Sequence, residues 1–300
     1  MKRVLITGGS GFIGRHCLSF LLERGFEVFA ITRNQIPKES LPIFWEKLDI
    51  AENQKVDAFI QRVKPQFLLH LAWYAKHGLY WNAPENLDCV AQSLHLLKSF
   101  AASGGKRVVI AGTCAEYDWK QPVCKEEEIF GKAQGLYGTC KAALHQMARE
   151  FSLLQKLSLA WGRIFYLFGP HEQKGRLVPS VISSLLQGKE FICAQGDLER
   201  DFLYVEDVAE AFVSLLDSSV EGSVNIASGK EIQIRQMVQW ISEKMGAKDL
   251  IRFNKNESTP LKMIAEVRRL AEEVHWKPKY ELFPALNQTI EWWKNQLCSG

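Results

Sequence analysis

A glycine-rich stretch near the beginning of the chain constrains its fold more than any other feature. Residues 7–14 read Thr-Gly-Gly-Ser-Gly-Phe-Ile-Gly and lie between an apolar run and a segment with helical periodicity. Gly8 permits a tight turn, Gly11 allows close approach of a pyrophosphate, and Gly14 lets the helix pack closely on the preceding strand. The helix N-terminus adds unpaired amide groups and a positive dipole end. The stretch therefore predicts a dinucleotide-binding site.

The tip of the next predicted strand bears on which dinucleotide is bound. Residues 27–31 read as a strand that runs into Thr32 and Arg33. An NAD site usually has an acidic residue here to bind the ribose hydroxyls, whereas an NADP site has a cation near the 2′-phosphate. Arg33 therefore favours NADP. NAD is the alternative if Arg33 is only a solvated loop residue.

Strands and helices alternate over the first half of the chain. Besides the elements above, the pattern predicts strands at 66–72, 107–111 and 157–165, a strand end at 48–50, and helices over 84–103 and 136–154. Such alternation is typical of a doubly wound parallel sheet. The nearly continuous apolar run of 66–72 fits a strand that is covered on both faces.

The sequence of the second half of the chain predicts a segment that leaves this sheet and a smaller lobe. Helical patterns lie near 178–185, 205–216, 234–245 and 283–297, with a short strand at 223–227. We expect an α/β fold, with a Rossmann-type doubly wound parallel sheet and a smaller C-terminal α/β substrate lobe. The dinucleotide-binding domain would comprise 1–168 with 204–228, and the substrate-binding lobe 169–203 with 229–300. The active site would lie in the crevice between them.

Composition excludes several classes of protein. The chain has 300 residues, of which 47% are hydrophobic and 24% charged, which is enough for a large core. Its net charge of +3 is too small for the strongly basic face of a nucleic-acid-binding protein. No segment reaches the roughly 18 apolar residues of a membrane span. The seven cysteines lack paired spacing, which is typical of reduced thiols. We expect a cytoplasmic enzyme without a metal.

A tyrosine and a lysine four residues apart are the candidate catalytic pair. Tyr137 and Lys141 project from one face near the start of a predicted helix. A nearby ammonium stabilises phenolate and so lowers a tyrosine pKa, which makes the phenol usable as an acid or base. Thr113, at the end of a predicted strand, can hydrogen-bond the same substrate oxygen. Alone, such a pair is frequent on solvated helix faces, but its position after a nucleotide-binding turn makes it specific.

Five short motifs are spread over nearly the whole chain. They are the glycine-rich stretch 7–14, Thr-Cys-Ala-Glu-Tyr at 113–117, Tyr-Gly-Thr-Cys-Lys at 137–141, Arg-Ile-Phe-Tyr-Leu-Phe-Gly-Pro at 163–170 and Arg-Asp-Phe-Leu-Tyr-Val-Glu-Asp-Val-Ala at 200–209. Together these motifs resemble the extended short-chain dehydrogenase/reductase superfamily. Within it, they are similar to the NAD-dependent epimerase/dehydratase branch, whose substrates are nucleotide sugars.

The resemblance implies a role for each matching residue. Tyr137 would be the acid/base, Lys141 would bind the nicotinamide ribose and tune Tyr137, and Thr113 would take the usual Ser/Thr position. Arg200 would meet the substrate diphosphate, which suits a planar cation. The other cofactor-binding residues would be Gly8, Gly11, Phe12, Ile13, Gly14, Thr32, Arg33, Asp49, Ile50, Leu71 and Ala72. The other substrate-binding residues would be Trp73, Tyr166, His171 and Arg176.

Departures from the family pattern reduce the number of reactions that this chain is expected to catalyse. The 4,6-dehydratases of the family carry an Asp-Glu pair after the threonine, whereas Cys114 and Ala115 stand here, so dehydration is not expected. Tyr166 occupies a position where many members have asparagine, which leaves the pose of the sugar open. His171 resembles an acid that some epimerase-reductases use, although a surface-loop histidine is the alternative. Cys114 lies one place from the position of their reactive cysteine.

Three functional hypotheses follow. The first is an NADP-dependent reductase of a 4-keto group on a nucleotide-diphosphate sugar, which Arg33 and the missing Asp-Glu pair favour. The second is a nucleotide-sugar 4-epimerase with bound NAD, which would use the same residues. The third is a non-catalytic dinucleotide-binding regulator, against which the intact Thr113, Tyr137 and Lys141 argue. The expected partners are the sugar nucleotide and a second copy of the chain, with no nucleic acid and no membrane.

Overall fold

The computed structural model describes residues 2–38, 41–127, 133–254 and 262–298, without the side chains of the last two. Its strands are β1 (Lys2–Thr7), β2 (Phe26–Thr32), β3 (Phe44–Lys47), β4 (Phe67–His70), β5 (Arg107–Thr113), β6 (Val123–Cys124), β7 (Ser158–Ile164), β8 (Tyr166–Phe168), β9 (Phe191–Cys193), β10 (Glu199–Tyr204), β11 (Gly222–Ile226), β12 (Glu231–Gln233), β13 (Ile251–Phe253) and β14 (Lys262–Ala265). Its α-helices are α1 (Gly14–Glu23), α2 (Asn53–Val63), α3 (Glu85–Ala102), α4 (Gly135–Gln155), α5 (Leu177–Leu186), α6 (Val205–Asp217), α7 (Ile234–Lys244), α8 (Arg268–Glu272) and α9 (Leu282–Cys298). A short 3₁₀ helix spans Cys114–Glu116.

A seven-stranded parallel sheet has the order β11-β7-β5-β4-β1-β2-β3. The chain builds outward from β1 to β2 and β3, then crosses back to β4 and continues in the other direction. The strand order therefore reverses between β1 and β4. Ligands of such sheets bind outside the carboxyl ends of the strands at this reversal. The predicted Rossmann-type doubly wound sheet is confirmed.

Helices cover both faces of this sheet because the side chains of a strand alternate between its faces. Val4 and Ile6 pack in one core with residues of α1 and α6. Leu5, between them, packs in the opposite core with residues of α2, α3 and α4. All three side chains are fully buried. Burial on both faces explains why the central strands read as nearly continuous apolar runs.

A second, smaller sheet has the order β12-β10-β14-β6, with β8 pairing along another part of β10. β10 is antiparallel to β12 and parallel to β14 and β8. Helices α5, α7 and α9 enclose a separate apolar core beside it. β6 and β8 lie within 1–168, the range assigned to the dinucleotide domain, yet they pair with strands of this second sheet. Among the described helices, none is long and apolar enough to cross a membrane.

Candidate active site

The glycine-rich stretch forms a closed turn between β1 and α1. Gly8 has a φ of +73°, in the left-handed region that glycine tolerates, and its carbonyl accepts a 2.9 Å hydrogen bond from the Gly11 amide. A Cβ on Gly14 would lie 2.1 Å from the Gly8 oxygen, so the helix can begin here only with glycine. Within 4 Å of a Cβ on Gly11 lie atoms of Gly8 and of no other described residue outside the immediate neighbours of Gly11. The outer side of the turn is therefore open.

This turn fits the pyrophosphate of a dinucleotide. The amides of Phe12 and Ile13 have no hydrogen-bond partner within the described part of the chain, and they lie at the N-terminus of α1. Free amides at a helix N-terminus bind anions. Leu71 and Ala72 lie against the turn, since their amides donate to the backbone oxygen and side-chain hydroxyl of Thr7, respectively. The end of β4 thus forms one wall of the cradle.

The tip of β2 presents a cation. The buried Thr32 hydroxyl is 3.0 Å from the Ser10 hydroxyl and accepts a hydrogen bond from the Asn34 amide, which fixes the tip against the glycine turn. Arg33 is exposed and has no hydrogen-bond or ion-pair partner among the residues that the structure describes. Asp49 accepts a 3.0 Å hydrogen bond from the Ala51 amide, in the turn before α2. Residues 32–34 therefore offer a free guanidinium and no carboxylate.

Thr113, Tyr137 and Lys141 meet at the carboxyl end of β5. Thr113 is the last residue of β5, and its hydroxyl lies near enough to the Tyr137 phenol to oppose the rise in the pKa of that phenol. The buried Lys141 ammonium, on α4, donates a 2.7 Å hydrogen bond to the Ala111 carbonyl. Desolvation lowers the pKa of Lys141 to about 7, and the Glu116 carboxylate opposes this change.

The pKa of Tyr137 differs from the sequence-based expectation. We expected the Lys141 ammonium to lower it, but burial raises the pKa of this phenol, and the hydrogen bond from Thr113 only partly opposes the rise. The physical reason is that Tyr137 is enclosed by aromatic rings while the Lys141 ammonium is directed at a backbone carbonyl. At neutral pH the phenol is therefore protonated.

Aromatic rings from the loop after β4 surround Tyr137. The centroids of Tyr80, Trp81 and Trp73 lie 5.0, 5.9 and 6.3 Å from that of Tyr137, each ring edge-on. The Tyr137 amide donates a 3.0 Å hydrogen bond to the Trp81 carbonyl, which ties the loop to α4. The Lys141 ammonium lies 3.7 Å from the Trp73 centroid, in a cation–π contact. Trp73, expected to bind substrate, thus lies against the catalytic pair.

The second sheet contributes Tyr166 and Arg200 to the same region. Arg200 on β10 donates a 3.1 Å hydrogen bond from Nε to the Tyr166 hydroxyl on β8. Burial and the nearby Cys114 raise the pKa of Tyr166 to about 12, and Arg200 opposes this rise. Because Cys114 follows Thr113 directly, these two side chains lie close to the catalytic threonine. Arg176 joins them from the start of α5, with its guanidinium 5.1 Å from the Tyr80 centroid.

His171 lies apart from the residues around Tyr137. Its Nδ1 is 2.6 Å from Nη1 of Arg15, and its ring packs against Trp292 at 4.6 Å between centroids. Desolvation and the neighbouring Arg15 lower the pKa of His171 to about 4, so the imidazole is neutral at pH 7. The structure places this histidine beside the first turn of α1, whereas the other four predicted substrate-binding residues face the catalytic region.

Two charged residues of the site were missed in the sequence analysis. Glu116 accepts hydrogen bonds from the Thr113 amide at 2.8 Å and from Arg163 Nε at 3.0 Å. Both residues belong to recognised motifs, but no role was given to them. The signal available in the sequence was their charge within otherwise apolar, strand-like segments, because a buried charge requires a partner.

Residues 4–227 match the family model described as the NAD dependent epimerase/dehydratase family. The chain belongs to this family. It is therefore an NAD(P)-dependent enzyme of the short-chain dehydrogenase/reductase type, as its motifs predicted. UDP-glucuronic acid decarboxylase 1 of Xenopus tropicalis is 26% identical over 309 residues, which cover 99% of this chain and 73% of the relative.

Two further comparisons report an enzyme and a solved structure that this epimerase/dehydratase family member resembles. The dTDP-6-deoxy-L-talose 4-dehydrogenase (NAD(+)) of Aggregatibacter actinomycetemcomitans is 26% identical over 290 residues, covering 94% of this chain and 95% of that enzyme. The crystal structure of UDP-glucose 4-epimerase with UDP-glucose from Thermotoga maritima superposes with a TM-score of 0.86. It is 22% identical and covers 98% of this chain and 99% of the epimerase, which establishes a common fold.

Proposed function

We propose that this enzyme reduces the 4-keto group of a nucleotide-activated sugar with NADPH. The observation that carries the proposal is the junction of Thr113, Tyr137 and Lys141 at the carboxyl end of β5, which places a phenol that is protonated at neutral pH beside the threonine. Reduction of a carbonyl requires a proton donor at its oxygen, and a protonated phenol within reach supplies it. Oxidation of an alcohol would first require the same phenol to lose its proton.

Each residue of the site has a separate role in this reduction. NADPH, when bound, supplies a hydride to the carbonyl carbon. The Thr113 hydroxyl donates a hydrogen bond to the carbonyl oxygen, and Tyr137 transfers its proton to that oxygen. The Lys141 ammonium would bind the nicotinamide ribose. The Phe12 and Ile13 amides would hold the pyrophosphate, and Arg33 would bind the 2′-phosphate.

Two observations support the finer assignment. Arg33 is exposed and unpaired among the described residues, as a residue that binds a phosphate from solvent must be. The dTDP-6-deoxy-L-talose 4-dehydrogenase (NAD(+)) relative acts, by its name, at C4 of a nucleotide sugar, so it supports the position of the reduction and not the choice of NADPH. In addition, Cys114 and Ala115 provide no carboxylate next to Thr113 that could expel water from the sugar. The Arg200 guanidinium would bind the diphosphate of the substrate.

The test begins with the cofactor. Freshly purified protein is denatured, any released nucleotide is identified by absorbance and mass spectrometry, and the empty protein is titrated with NADPH and NADH. Preference for NADPH, lost in Arg33→Ala, supports the proposal. Preference for NADH in the native protein would overturn the assignment of Arg33.

Turnover is tested with dTDP- and UDP-linked 4-keto-6-deoxyhexoses, following NADPH oxidation. Tyr137→Phe should lower kcat by about 10²-fold or more, because it removes the proton donor. Tyr280→Phe is the matched control, since Tyr280 bonds to Glu206 outside the site. Equal turnover by Tyr137→Phe and the native enzyme would refute the proposed chemistry.

A 4-epimerase is the second candidate, because the fold superposes on UDP-glucose 4-epimerase over nearly its whole length. An epimerase returns its hydride to the substrate, so it keeps NAD bound and consumes none. Recovery of tightly bound NAD, with interconversion of UDP-glucose and UDP-galactose, would establish this activity in place of the reductase.

We also propose that the enzyme is a homodimer that associates through α3 and α4. These two neighbouring helices expose Leu87, Met147, Leu153 and Leu154, which are 59%, 41%, 67% and 77% accessible. Exposed large apolar side chains are typical of an interface. Light scattering should give twice the 34.2 kDa mass of one chain, and Leu154→Glu should shift it toward the monomer. A monomeric native protein would refute this assembly.

A further inference from the structure

Glu116 is a buried carboxylate that lies directly behind the catalytic threonine. Its Oε1 accepts from the Thr113 amide at 2.8 Å, and both oxygens lie within 3.1 Å of the Trp161 indole nitrogen. Its Oε2 accepts from Arg163 Nε at 3.0 Å. The Glu116 and Arg163 side chains are 2% and 6% exposed. Three donors on two different strands therefore hold this carboxylate in one orientation.

Glu116 fixes the backbone of Thr113, and the Ala115 amide orients the Thr113 hydroxyl. The two residues form a capping box on the 3₁₀ helix, in which the Thr113 hydroxyl accepts a 3.2 Å hydrogen bond from the Ala115 amide. Because the Ala115 amide occupies one side of this oxygen, its single hydrogen points away from that amide and can be donated to the Tyr137 phenol or, when substrate is bound, to a substrate oxygen. If the Thr113 side chain rotated away from the Ala115 amide, its hydroxyl would no longer be held in this orientation.

The buried ion pair of Glu116 and Arg163 is more than the capping of a one-turn helix requires. A neutral glutamine also completes a capping box, and burying an ion pair carries a desolvation penalty. Here Arg163 is itself anchored, since its Nη1 donates to the Tyr117 hydroxyl at 2.9 Å. Gly112 leaves room for the pair, because a Cβ there would lie 2.1 Å from the Trp161 nitrogen and 2.7 Å from Glu116 Oε1.

We propose that Glu116, anchored by Arg163 and Trp161, is a positioning residue that holds the Thr113 hydroxyl as a donor to the substrate oxygen. This inference rests on the proposed reduction for the role of Thr113. Glu116 itself makes no contact with the substrate oxygen, because its oxygens are occupied by the backbone, Trp161 and Arg163. Its charge also faces Lys141, whose protonated form it favours.

A double-mutant cycle of Thr113→Ala and Glu116→Gln tests the inference, with kcat and KM for the 4-keto sugar that the native enzyme reduces. Glu116→Gln should lower kcat about tenfold with KM within twofold, because the hydroxyl is misplaced while binding is kept. In the Thr113→Ala background, at a pH low enough to keep Lys141 charged without Glu116, the same substitution should have no further effect on kcat. Thr113→Ser, which keeps the hydroxyl, should restore the sensitivity to Glu116→Gln.

The contrary outcomes are distinct. If Glu116→Gln lowers kcat by the same factor with and without the Thr113 hydroxyl, or leaves it unchanged, Glu116 does not act through Thr113. If Thr113→Ala alone keeps full kcat, the proposed function itself fails. Glu116→Gln leaves Arg163 without its charged partner, so folding is checked by thermal denaturation. Should it fail to fold, Glu116→Gln/Arg163→Met, which removes both charges, replaces it in the cycle.

Discussion

The Lys141 ammonium carries a charge that is easily lost, since desolvation lowers its pKa to about 7. In the proposed reduction, the charged form binds the nicotinamide ribose and so holds the cofactor beside Tyr137. We therefore expect kcat/KM for carbonyl reduction to fall as the pH rises through about 7, a profile that reports groups of the free enzyme. Lys141→Arg, whose cation persists at high pH, should remove the fall. A native profile that is flat from pH 6 to about pH 9 would contradict this assignment.

Glu172 is a second buried group whose charge depends on pH in the neutral range. Its Oε2 has no hydrogen-bond partner among the described residues, and burial raises its pKa to about 8, against the opposing effect of Arg176. The folded protein therefore holds this proton more tightly than the unfolded chain. The resulting stability is complete below the ordinary glutamate pKa and is lost as the pH rises through about 8.

Glu172→Gln should remove this pH dependence. In urea titrations at pH 5.5 and 8.5, the native protein should lose about 3 kcal/mol more of its unfolding free energy than the variant does. Glu150→Gln is the control, because Glu150 is an exposed residue paired with Arg149. The same loss in native protein and Glu172→Gln would show that other groups cause it.

At the residue scale, the sequence predicts that three side chains meet, and the structure brings them together, while their catalytic roles stay predictions. A strand end and the first turns of a helix direct Thr113, Tyr137 and Lys141 in ways that their spacing reveals. His171 could not be placed in this manner, because its φ of +69° turns the ring toward Arg15. Glu116 was missed because its partner Arg163 lies on another strand, at a distance in sequence that no local pattern spans.

The turn between β1 and α1 makes a sharp prediction at the scale of elements. Gly14→Ala places a Cβ 2.1 Å from the Gly8 oxygen, so either the turn or the helix must shift. Gly9→Ala is the matched control in the same turn, because its Cβ would be in ordinary contact at 3.4 Å. By fluorescence titration, Gly14→Ala should weaken NADPH binding at least about tenfold, and Gly9→Ala should have little effect. Equal affinities would show that the turn does not form the cofactor site.

Long elements were predicted more accurately than short ones. The helices expected at 84–103 and 136–154 are observed as α3 and α4, within one residue at each end. The strand end expected at 48–50 is wrong by a few residues, because β3 ends at Lys47 and Leu48 instead donates to Thr32 from the following turn. Strands of two or three residues, such as β6, were missed because partners far along the chain decide whether they form.

At the scale of the whole molecule, Asn225 joins the two sheets. It is fully buried on β11, accepts from the Tyr117 hydroxyl, and donates from Nδ2 to the carbonyls of Cys124 on β6 and Glu266 beyond β14. Asn225→Ala leaves these groups unpaired, so the unfolding free energy should fall by about 3 kcal/mol in urea titrations. Asn34→Ala, at an exposed position, is the control. A loss below about 1 kcal/mol would mean that solvent replaces these bonds.

The pairing of β14 between β10 and β6 affects the order in which the two sheets can form during synthesis. As the chain leaves the ribosome, β1, β2, β4 and β5 emerge early and can pair with one another at once. β10 can then pair with β8 and β12, but β6 and the remaining edge of β10 are paired only by Lys262–Ala265, which are made when most of the chain has been synthesised. A product that stops before them would contain the glycine turn, Thr113 and Tyr137, yet it would display an open strand edge on β10. An unpaired strand edge can pair with another chain and so cause aggregation. β14, the last of the described strands to be synthesised, therefore protects the protein by covering this edge.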